Sequence, residues 1–182
     1  HHRYETSLAY RDEAGTDASR YVMATLVDMN DPGLVVLPTH RTVSHLAGFD
    51  RQTFAGKLAK DFDIMPQSSP QVGPHEIGMF DGTGFSKLRP KNLDALKPLF
   101  ASKPPLWHIL DVAILHVAIL EALLGIDEAR LREEANVTYW REPEKAVAEV
   151  KDGKAQLAFF LAPTPVADVK AISDAHSRMP QK

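Results

Sequence analysis

The chain has 182 residues, of which 44% are hydrophobic, 25% charged and 8% aromatic, and these proportions exclude a disordered, collagen-like or coiled-coil protein. Its formal net charge of -3 argues against a protein that works on nucleic acid, and the absence of cysteine excludes disulfides and thiolate chemistry. A chain of this length can bury a core without cross-links, so we expect one domain over residues 1–182, with a second small domain as the alternative. No apolar run follows the first residues, so we expect no signal peptide and a cytoplasmic location.

The first quarter of the chain predicts a helix followed by a hairpin. Residues 3–14 indicate a helix because apolar side chains recur one turn apart. Residues 21–29 and 34–43 are rich in apolar and β-branched side chains, and the turn-forming segment Asn30-Asp31-Pro32-Gly33 separates them. This pattern predicts an antiparallel hairpin.

The next segment combines one capped helix with short strands. Asp50 is placed to cap a helix that runs through Phe62. Three short strands are expected after it, at residues 64–65, 75–80 and 85–88. Between the last two lies Asp81-Gly82-Thr83-Gly84, which predicts a hairpin turn. It is a poor phosphate-binding loop, because no lysine follows and a strand rather than a helix comes next.

The longest apolar stretch lies at residues 106–124. Asp111 and Glu121 interrupt it, so it fails the criterion of about 18 uncharged residues for a membrane span. Its polar side chains share no face, which favours a buried central helix; a helix that gives one face to a partner chain is the alternative. Gly125 predicts the end of this helix.

The C-terminal quarter alternates strands and helices. A strand over residues 137–141 precedes Pro143, which suits the first turn of a helix ending at Asp152-Gly153. A second strand is expected over residues 157–161, and Thr164-Pro165 opens the last helix. This order predicts a βαβ unit with parallel strands. The whole chain therefore predicts an α/β fold of mixed α+β type, with antiparallel hairpins, a buried central helix and a C-terminal βαβ unit.

Two segments carry candidate binding residues. His1, His2 and Arg3 stand at the start of the first helix, where free N–H groups and the helix dipole favour an anion. An arginine adds a bidentate donor, although His1-His2 could also be the remnant of a purification tag. His40 and Arg41 lie at the end of an apolar strand, where α/β proteins place binding groups; capping of the sheet edge is the alternative.

The histidine pattern does not predict a metal site within the chain. His108 and His116 are separated by two helical turns, roughly 12 Å of rise, so they cannot share one ion without further ligands. His40 and His45 flank a strand end, but no carboxylate cluster accompanies them.

Several segments of the sequence resemble domain-of-unknown-function family 1015. The resemblance rests on residues 1–11, 31–41, 111–112, 115–116, 158–164 and 179–182. It implies that His1-His2 belongs to the protein and that the chain is the C-terminal portion of a bacterial protein of roughly twice its length. It also implies that each end of the chain falls inside a family motif, so that both motifs are incomplete. We therefore expect no catalytic turnover from this fragment alone.

The start of the chain also resembles, more distantly, the ParB/sulfiredoxin superfamily, which includes free-serine kinase. In that superfamily a Gly-His-His-Arg or Gly-x-x-Arg segment begins a helix and holds nucleotide phosphates. The matching residues are His1, His2 and Arg3, with Glu5 just inside the helix. The resemblance implies a phosphate-binding role for these four residues.

These observations predict nucleotide or phosphate binding, with small-molecule phosphotransfer as the catalytic extension in the full-length protein. Arg3 and His2 would hold phosphate, and His40 and Arg41 would complete the pocket or hold substrate. ATP or ADP with Mg²⁺ is the cofactor expected in the full-length protein. The alternative is a non-catalytic module, regulated by an anion, that forms homo-oligomers through the 106–124 helix. We expect neither a nucleic-acid partner nor a membrane.

Overall fold

The computed structural model describes residues 2–127, 130–131 and 136–180 of the chain. The chain divides into two compact units, and the division falls between Val35 and Val36. Each unit has its own secondary structure. The organisation of the whole chain as one domain stays a prediction.

The first unit is built on one helix, α1 (His2–Ala14), which confirms the helix predicted over residues 3–14. Its last turn closes with a hydrogen bond from the Gly15 N–H to the Arg11 carbonyl, 3.0 Å long. Gly15 has φ +60°, the left-handed conformation that commonly ends a helix. A 3-10 turn, Ala18–Arg20, follows.

The hairpin predicted from residues 21–29 and 34–43 is wrong. Its turn forms, with a 2.9 Å bond from the Leu34 N–H to the Asp31 carbonyl, but residues 21–39 contain no strand. Apolar side chains from both faces of its first predicted strand are exposed, Met23 by 97% and Leu26 by 95%. An alternating apolar pattern stabilises a hairpin only where another layer covers that face.

The second unit is an α/β structure around one sheet of six strands. The strands are β1 (His40–Val43), β2 (Phe62–Gln67), β3 (Ile77–Phe80), β4 (Phe85–Pro90), β5 (Val137–Trp140) and β6 (Leu157–Leu161). They lie in the order β2-β4-β3-β6-β1-β5, and each neighbouring pair is antiparallel. The mixed α/β fold class is therefore confirmed.

The hairpin predicted around Asp81-Gly82-Thr83-Gly84 is confirmed. Strands β3 and β4 pair with Phe80 opposite Phe85. The Asp81 carboxylate accepts hydrogen bonds from the N–H groups of Thr83 and Gly84, at 2.8 and 3.2 Å. Gly82 has φ +90°, a conformation that side chains rarely allow.

The capped helix after β1 is also confirmed. Helix α2 (Arg51–Asp61) begins after Asp50, whose carboxylate accepts a 2.8 Å bond from the Thr53 N–H. Phe54 and Leu58 are buried on its inner face. Phe62, predicted as the last helical residue, instead begins β2 because its backbone is extended.

The predicted βαβ unit is present, with its strands parallel but not adjacent. Helix α5 (Pro143–Lys151), which has Pro143 in its first turn, connects β5 to β6. Both strands pair antiparallel with β1, which lies between them, so they run in the same direction. The last helix, α6 (Val166–Asp174), follows β6 and buries Ile172.

The buried central helix is confirmed, but its predicted start at residue 106 is wrong. A short helix α3 (Leu93–Leu96) and two 3-10 turns, Lys97–Phe100 and Trp107–Ile109, come first. Leu110 is extended, with φ -89° and ψ 125°, so the helical backbone is interrupted there. The helix proper begins as α4 (Asp111–Ile114).

Helix α4 continues directly as a π-helix, Leu115–Glu121, and we call the two together the central helix. The wider turn shows in the 3.1 Å bond from the Ala122 N–H to the Val117 carbonyl, five residues back. Gly125 ends the helix in the left-handed conformation, with φ +69°, as predicted. Residues 113–120 are all buried.

The sheet is covered on both faces. Leu157, Phe159 and Leu161 of β6 pack into the cluster that contains the central helix and α2. Ala158 and Phe160 point the other way, into a smaller cluster with α5. In the part of the chain that the structure describes, no helix has both the length and the apolar character needed to cross a membrane.

Candidate functional site

A cavity of about 670 Å³ opens where β1 leads into α2, and we call it the basic cavity. It is lined by residues 45–50, Thr53, Phe54, Lys57, Leu123, Leu124, Arg130 and Asn136. The lining therefore joins the loop after β1, the first two turns of α2 and the end of the central helix.

Buried amide side chains hold the loop that forms one wall of this cavity. Asn136, only 6% exposed, donates from Nδ2 to the carbonyls of Ser44 and His45 at 2.9 and 3.2 Å. Gln156 donates from Nε2 to the Leu46 carbonyl at 3.2 Å. His45 itself has φ +56°, an uncommon conformation for a residue with a side chain. The wall is thus fixed by hydrogen bonds to two other parts of the chain.

The described lining of the basic cavity carries more cationic side chains than carboxylates. Lys57 and Arg130 are the cationic side chains, and His45 adds an exposed imidazole. Asp50 is the opposing carboxylate, and it is engaged with its own helix through Thr53. Its hydrogen bonds with Thr53 hold the pKa of Asp50 below its usual value, so it stays ionised as a helix cap.

Arg41, predicted from the sequence as a binding residue, is buried in the core and is 2% exposed. Its Nε donates to Nε2 of His116 at 3.2 Å, its Nη1 donates to the Thr39 carbonyl, and its guanidinium lies 5.5 Å from the centre of the Tyr139 ring. No carboxylate of the described residues pairs with it. Burial lowers the pKa of Arg41 to about 10.

His40 lies next to Arg41 but faces the other side of the sheet. Its ring is 5.4 Å from that of Phe160, and its Nδ1 accepts a 3.4 Å bond from the Leu161 N–H. Burial, and then the charge of Arg41, lower the pKa of His40. The structure therefore does not bring His40 and Arg41 together around one ligand position, and neither lines the basic cavity.

The remaining predicted residues lie at the start of α1, in the first unit. Arg3 is exposed, and its carbonyl accepts a 3.0 Å bond from the Ser7 hydroxyl. Glu5 is half-buried. His1 and the side chain of His2 lie outside the described residues, so the predictions for them stay predictions.

No group of three or more His, Asp or Glu side chains within the described ranges is arranged to hold a metal ion.

Sequence reasoning missed the cavity residues His45, Lys57 and Arg130 as a group. Lys57 could have been noticed, because it lies one turn after Thr53 on the capped helix. Arg130 gave no signal, since its place at the cavity depends on contacts far apart in the chain.

Comparison with known proteins gives one family. No curated protein and no solved structure matches the chain significantly. The sequence model of the family described as "Protein of unknown function (DUF1015)" matches residues 1–113, more than half of the chain. The chain therefore belongs to the DUF1015 family.

Proposed function

We propose that this protein binds a phosphate-bearing small molecule, of the size of a nucleotide, in the basic cavity. The observation that carries the proposal is the pairing of cationic side chains, Lys57 and Arg130, with an apolar wall in one concave site. Small-molecule sites usually combine apolar surface with a few converging polar groups, and the basic cavity has both, with polar atoms the larger part of its exposed lining.

The charges of the cavity favour an anion over a cation or a neutral molecule. Lys57 and Arg130 can both donate charge-assisted hydrogen bonds to phosphate oxygens, and the His45 imidazole adds an N–H donor. Asp50 would repel an anion that came close to the start of α2. The bond from the Thr53 N–H holds the Asp50 carboxylate at the start of α2. We therefore propose that the phosphate binds away from it, beside Lys57 and Arg130.

The size and the apolar wall favour a ligand larger than inorganic phosphate. A volume of about 670 Å³ lies within the range of roughly 300–1,000 Å³ that is usual for small-molecule sites. Leu46, Phe49, Phe54, Leu123 and Leu124 offer an apolar surface that suits a nucleobase or another flat organic group.

The start of α1 is a second candidate for phosphate contact. The resemblance to the ParB/sulfiredoxin superfamily supports it, together with the free N–H groups of the first helical turn. In this reading Arg3 donates to the phosphate, with His1, His2 and Glu5 beside it. We propose more specifically that the full-length protein is a cytoplasmic bacterial phosphotransferase. In this proposal the described residues bind the phosphate-bearing ligand.

Calorimetric titration of the 182-residue chain with ADP, ATP, pyrophosphate and adenosine tests the proposal. We expect the phosphate-bearing ligands to bind and adenosine to bind at least about tenfold more weakly, because it lacks the charge that Lys57 and Arg130 recognise. Lys57→Met and Arg130→Gln should each weaken ADP binding by about three- to tenfold, since both side chains are exposed and partly screened.

Lys60→Met is the matched control. Lys60 lies on the same helix and is exposed, but it does not line the cavity, so its removal changes the net charge equally without touching the ligand. Equal weakening by Lys57→Met and Lys60→Met would show a non-specific charge effect and contradict the proposal. Absence of binding for all three phosphate-bearing ligands would also contradict it.

The alternative, assembly through the 106–124 helix, gains no support from the fold. Residues 113–120 are all buried against the chain's own core, so this part of the helix has no free face for a partner.

A further inference from the structure

A second cavity, of about 480 Å³, lies at the opposite end of the central helix from the basic cavity, and we call it the acidic cavity. Its lining comes from Pro74 and His75 before β3, Leu93 of α3, residues 109–112 around the start of the central helix, and residues 161–165 from the end of β6 toward α6. Asp168 of α6 completes it. Its walls are mostly aliphatic side chains and prolines.

Asp111 is the central polar group of this cavity. Its Oδ2 accepts a 3.0 Å bond from the His75 N–H, which helps hold His75 at φ +60°. Its Oδ1 is buried and has no hydrogen-bond partner among the described residues. The nearest cationic candidate is Nδ1 of His75, at 3.6 Å, which is too far for a hydrogen bond. Oδ1 of Asp111 therefore accepts no hydrogen bond from the described residues.

The other charges of the acidic cavity are of the same sign. Asp168 adds a second carboxylate, and the described lining contains no lysine or arginine. Burial raises the pKa of Asp111, and the nearby Asp168 and Glu76 raise it further against the effect of His75. The cavity thus holds a carboxylate that is costly to keep ionised and that no lysine or arginine of its described lining neutralises.

A structural role explains only part of this arrangement. A carboxylate at the start of a helix is stabilised by the helix dipole, and the bond to the His75 N–H fixes the preceding loop. These two effects explain the position of Asp111 and the hydrogen bond that its Oδ2 accepts. Neither accounts for an apolar-walled cavity beside it or for an Oδ1 without a donor.

We propose that the acidic cavity binds a small organic cation, a primary amine with a short apolar body, whose ammonium group donates to Asp111 and Asp168. The ammonium would supply the donor that Oδ1 lacks, and the aliphatic walls would cover the carbon chain. The His75 ring beside Oδ1 has a side chain that is 63% exposed, so it can move aside for the ligand. The proposal is independent of the phosphate ligand in the basic cavity.

Calorimetric titration with n-butylamine, at about pH 8 where alkylamines are cationic, is the test. Butan-1-ol and butyrate, which share its carbon chain, are the matched neutral and anionic probes. We expect saturable binding of n-butylamine, and binding of butan-1-ol and butyrate at least about tenfold weaker. Asp111→Asn and Asp168→Asn should each weaken amine binding by about tenfold, which corresponds to about 1.4 kcal/mol.

Asp174→Asn is the control variant, because Asp174 lies on the same helix as Asp168, pairs with Lys170 and does not line the cavity. It should bind n-butylamine like the wild type. Asp168→Asn keeps the test decisive if Asp111→Asn fails to fold, since Asp168 is a partly exposed side chain without a described hydrogen bond. No saturable amine binding, equal binding of butan-1-ol, or unchanged binding in Asp168→Asn would overturn the proposal.

An NMR titration locates the ligand independently. The amide of His75 donates to Asp111, so its resonance should be among those most shifted by n-butylamine, together with that of Thr164. Shifts confined to residues outside the acidic cavity would also overturn the proposal.

Discussion

Arg41 donates a hydrogen bond from Nε to Nε2 of His116, 3.2 Å away, and joins β1 to the central helix inside the core. Both residues are buried, at 2% and 8% exposure. Because Nε2 of His116 accepts this bond, the imidazole must be neutral. Burial, with the charges of Arg41 and Lys103, lowers the pKa of His116 to about 3 from the ordinary 6.5.

The neutral His116 predicts a loss of stability in mild acid. Between pH 6.5 and about 3 the unfolded chain protonates this histidine while the folded chain does not, so the free energy of unfolding falls as the pH falls. The slope from one such group is at most about 1.4 kcal/mol per pH unit. His116→Gln keeps an acceptor for Arg41 but does not titrate, so its stability should depend less on pH across this window. Urea unfolding at a series of pH values measures both slopes; identical slopes would contradict the neutral assignment.

The ion pairs of Glu76 predict a second loss of stability, at a lower pH than that of His116. Its carboxylate accepts from the Gly73 N–H at 3.0 Å and contacts Lys87 and Arg89 at 3.1 and 2.6 Å. The Gly73 bond and the two cations lower the pKa of Glu76 to about 2, so its stabilisation is present above pH 4.5 and is lost as the pH falls toward 2. Glu76→Gln should lower the free energy of unfolding at pH 7 by about 1–3 kcal/mol, at the lower end because Arg89 is half exposed.

Glu142→Gln is the control for Glu76, because it removes the same charge from an exposed pair with Lys145. It should change the unfolding free energy little. An equal effect of the two substitutions in chemical denaturation would show that the Glu76 cluster has no special role.

Leu115 tests the buried central helix. Its side chain is fully buried, so Leu115→Asp would place a charge in the core and should abolish cooperative unfolding or soluble expression. Leu99→Asp introduces the same group at a side chain that is 41% exposed and should be tolerated. Circular dichroism melting of the two variants makes the comparison. A wild-type melting temperature for Leu115→Asp would refute the burial of this helix.

The start of α1 can be tested separately from the basic cavity. If Arg3 donates to phosphate there, Arg3→Ala should weaken pyrophosphate and ADP binding by about tenfold, because charge-assisted hydrogen bonds are lost. Arg11→Ala is the matched control, since Arg11 lies on the same helix and pairs with Asp12 at 2.7 Å. Calorimetry on both variants gives the answer. Wild-type affinity in Arg3→Ala would remove the α1 site from the proposal.

The elements with strong local signals were predictable from the sequence. The Asp50 cap, the Asp81-Gly82 turn and the Pro143 helix start each depend on residues within one turn of one another. The predicted hairpin over residues 21–43 failed because its apolar pattern needs a covering layer, which no local signal supplies. The break at Leu110 and the π-helix after it were also invisible, since a continuous apolar run looks the same in either helical form.

The site was less predictable than the fold, for a physical reason. Arg41 and His116 are 75 positions apart, so their contact follows only from the packing of β1 on the central helix. The sequence analysis placed His40 and Arg41 in one pocket, whereas neighbouring residues of a strand face opposite sides of the sheet. The basic cavity draws its lining from separate segments between His45 and Asn136, and such convergence is a property of the tertiary structure alone.

The most direct test of the proposed function is an NMR titration of the isotopically labelled chain with ADP. Binding in the basic cavity predicts saturable shifts concentrated at the amides of residues 46–57 and at Leu123 and Leu124, reduced in Lys57→Met and retained in Lys60→Met. Saturable shifts located elsewhere, or no shifts at millimolar ADP, would contradict the account.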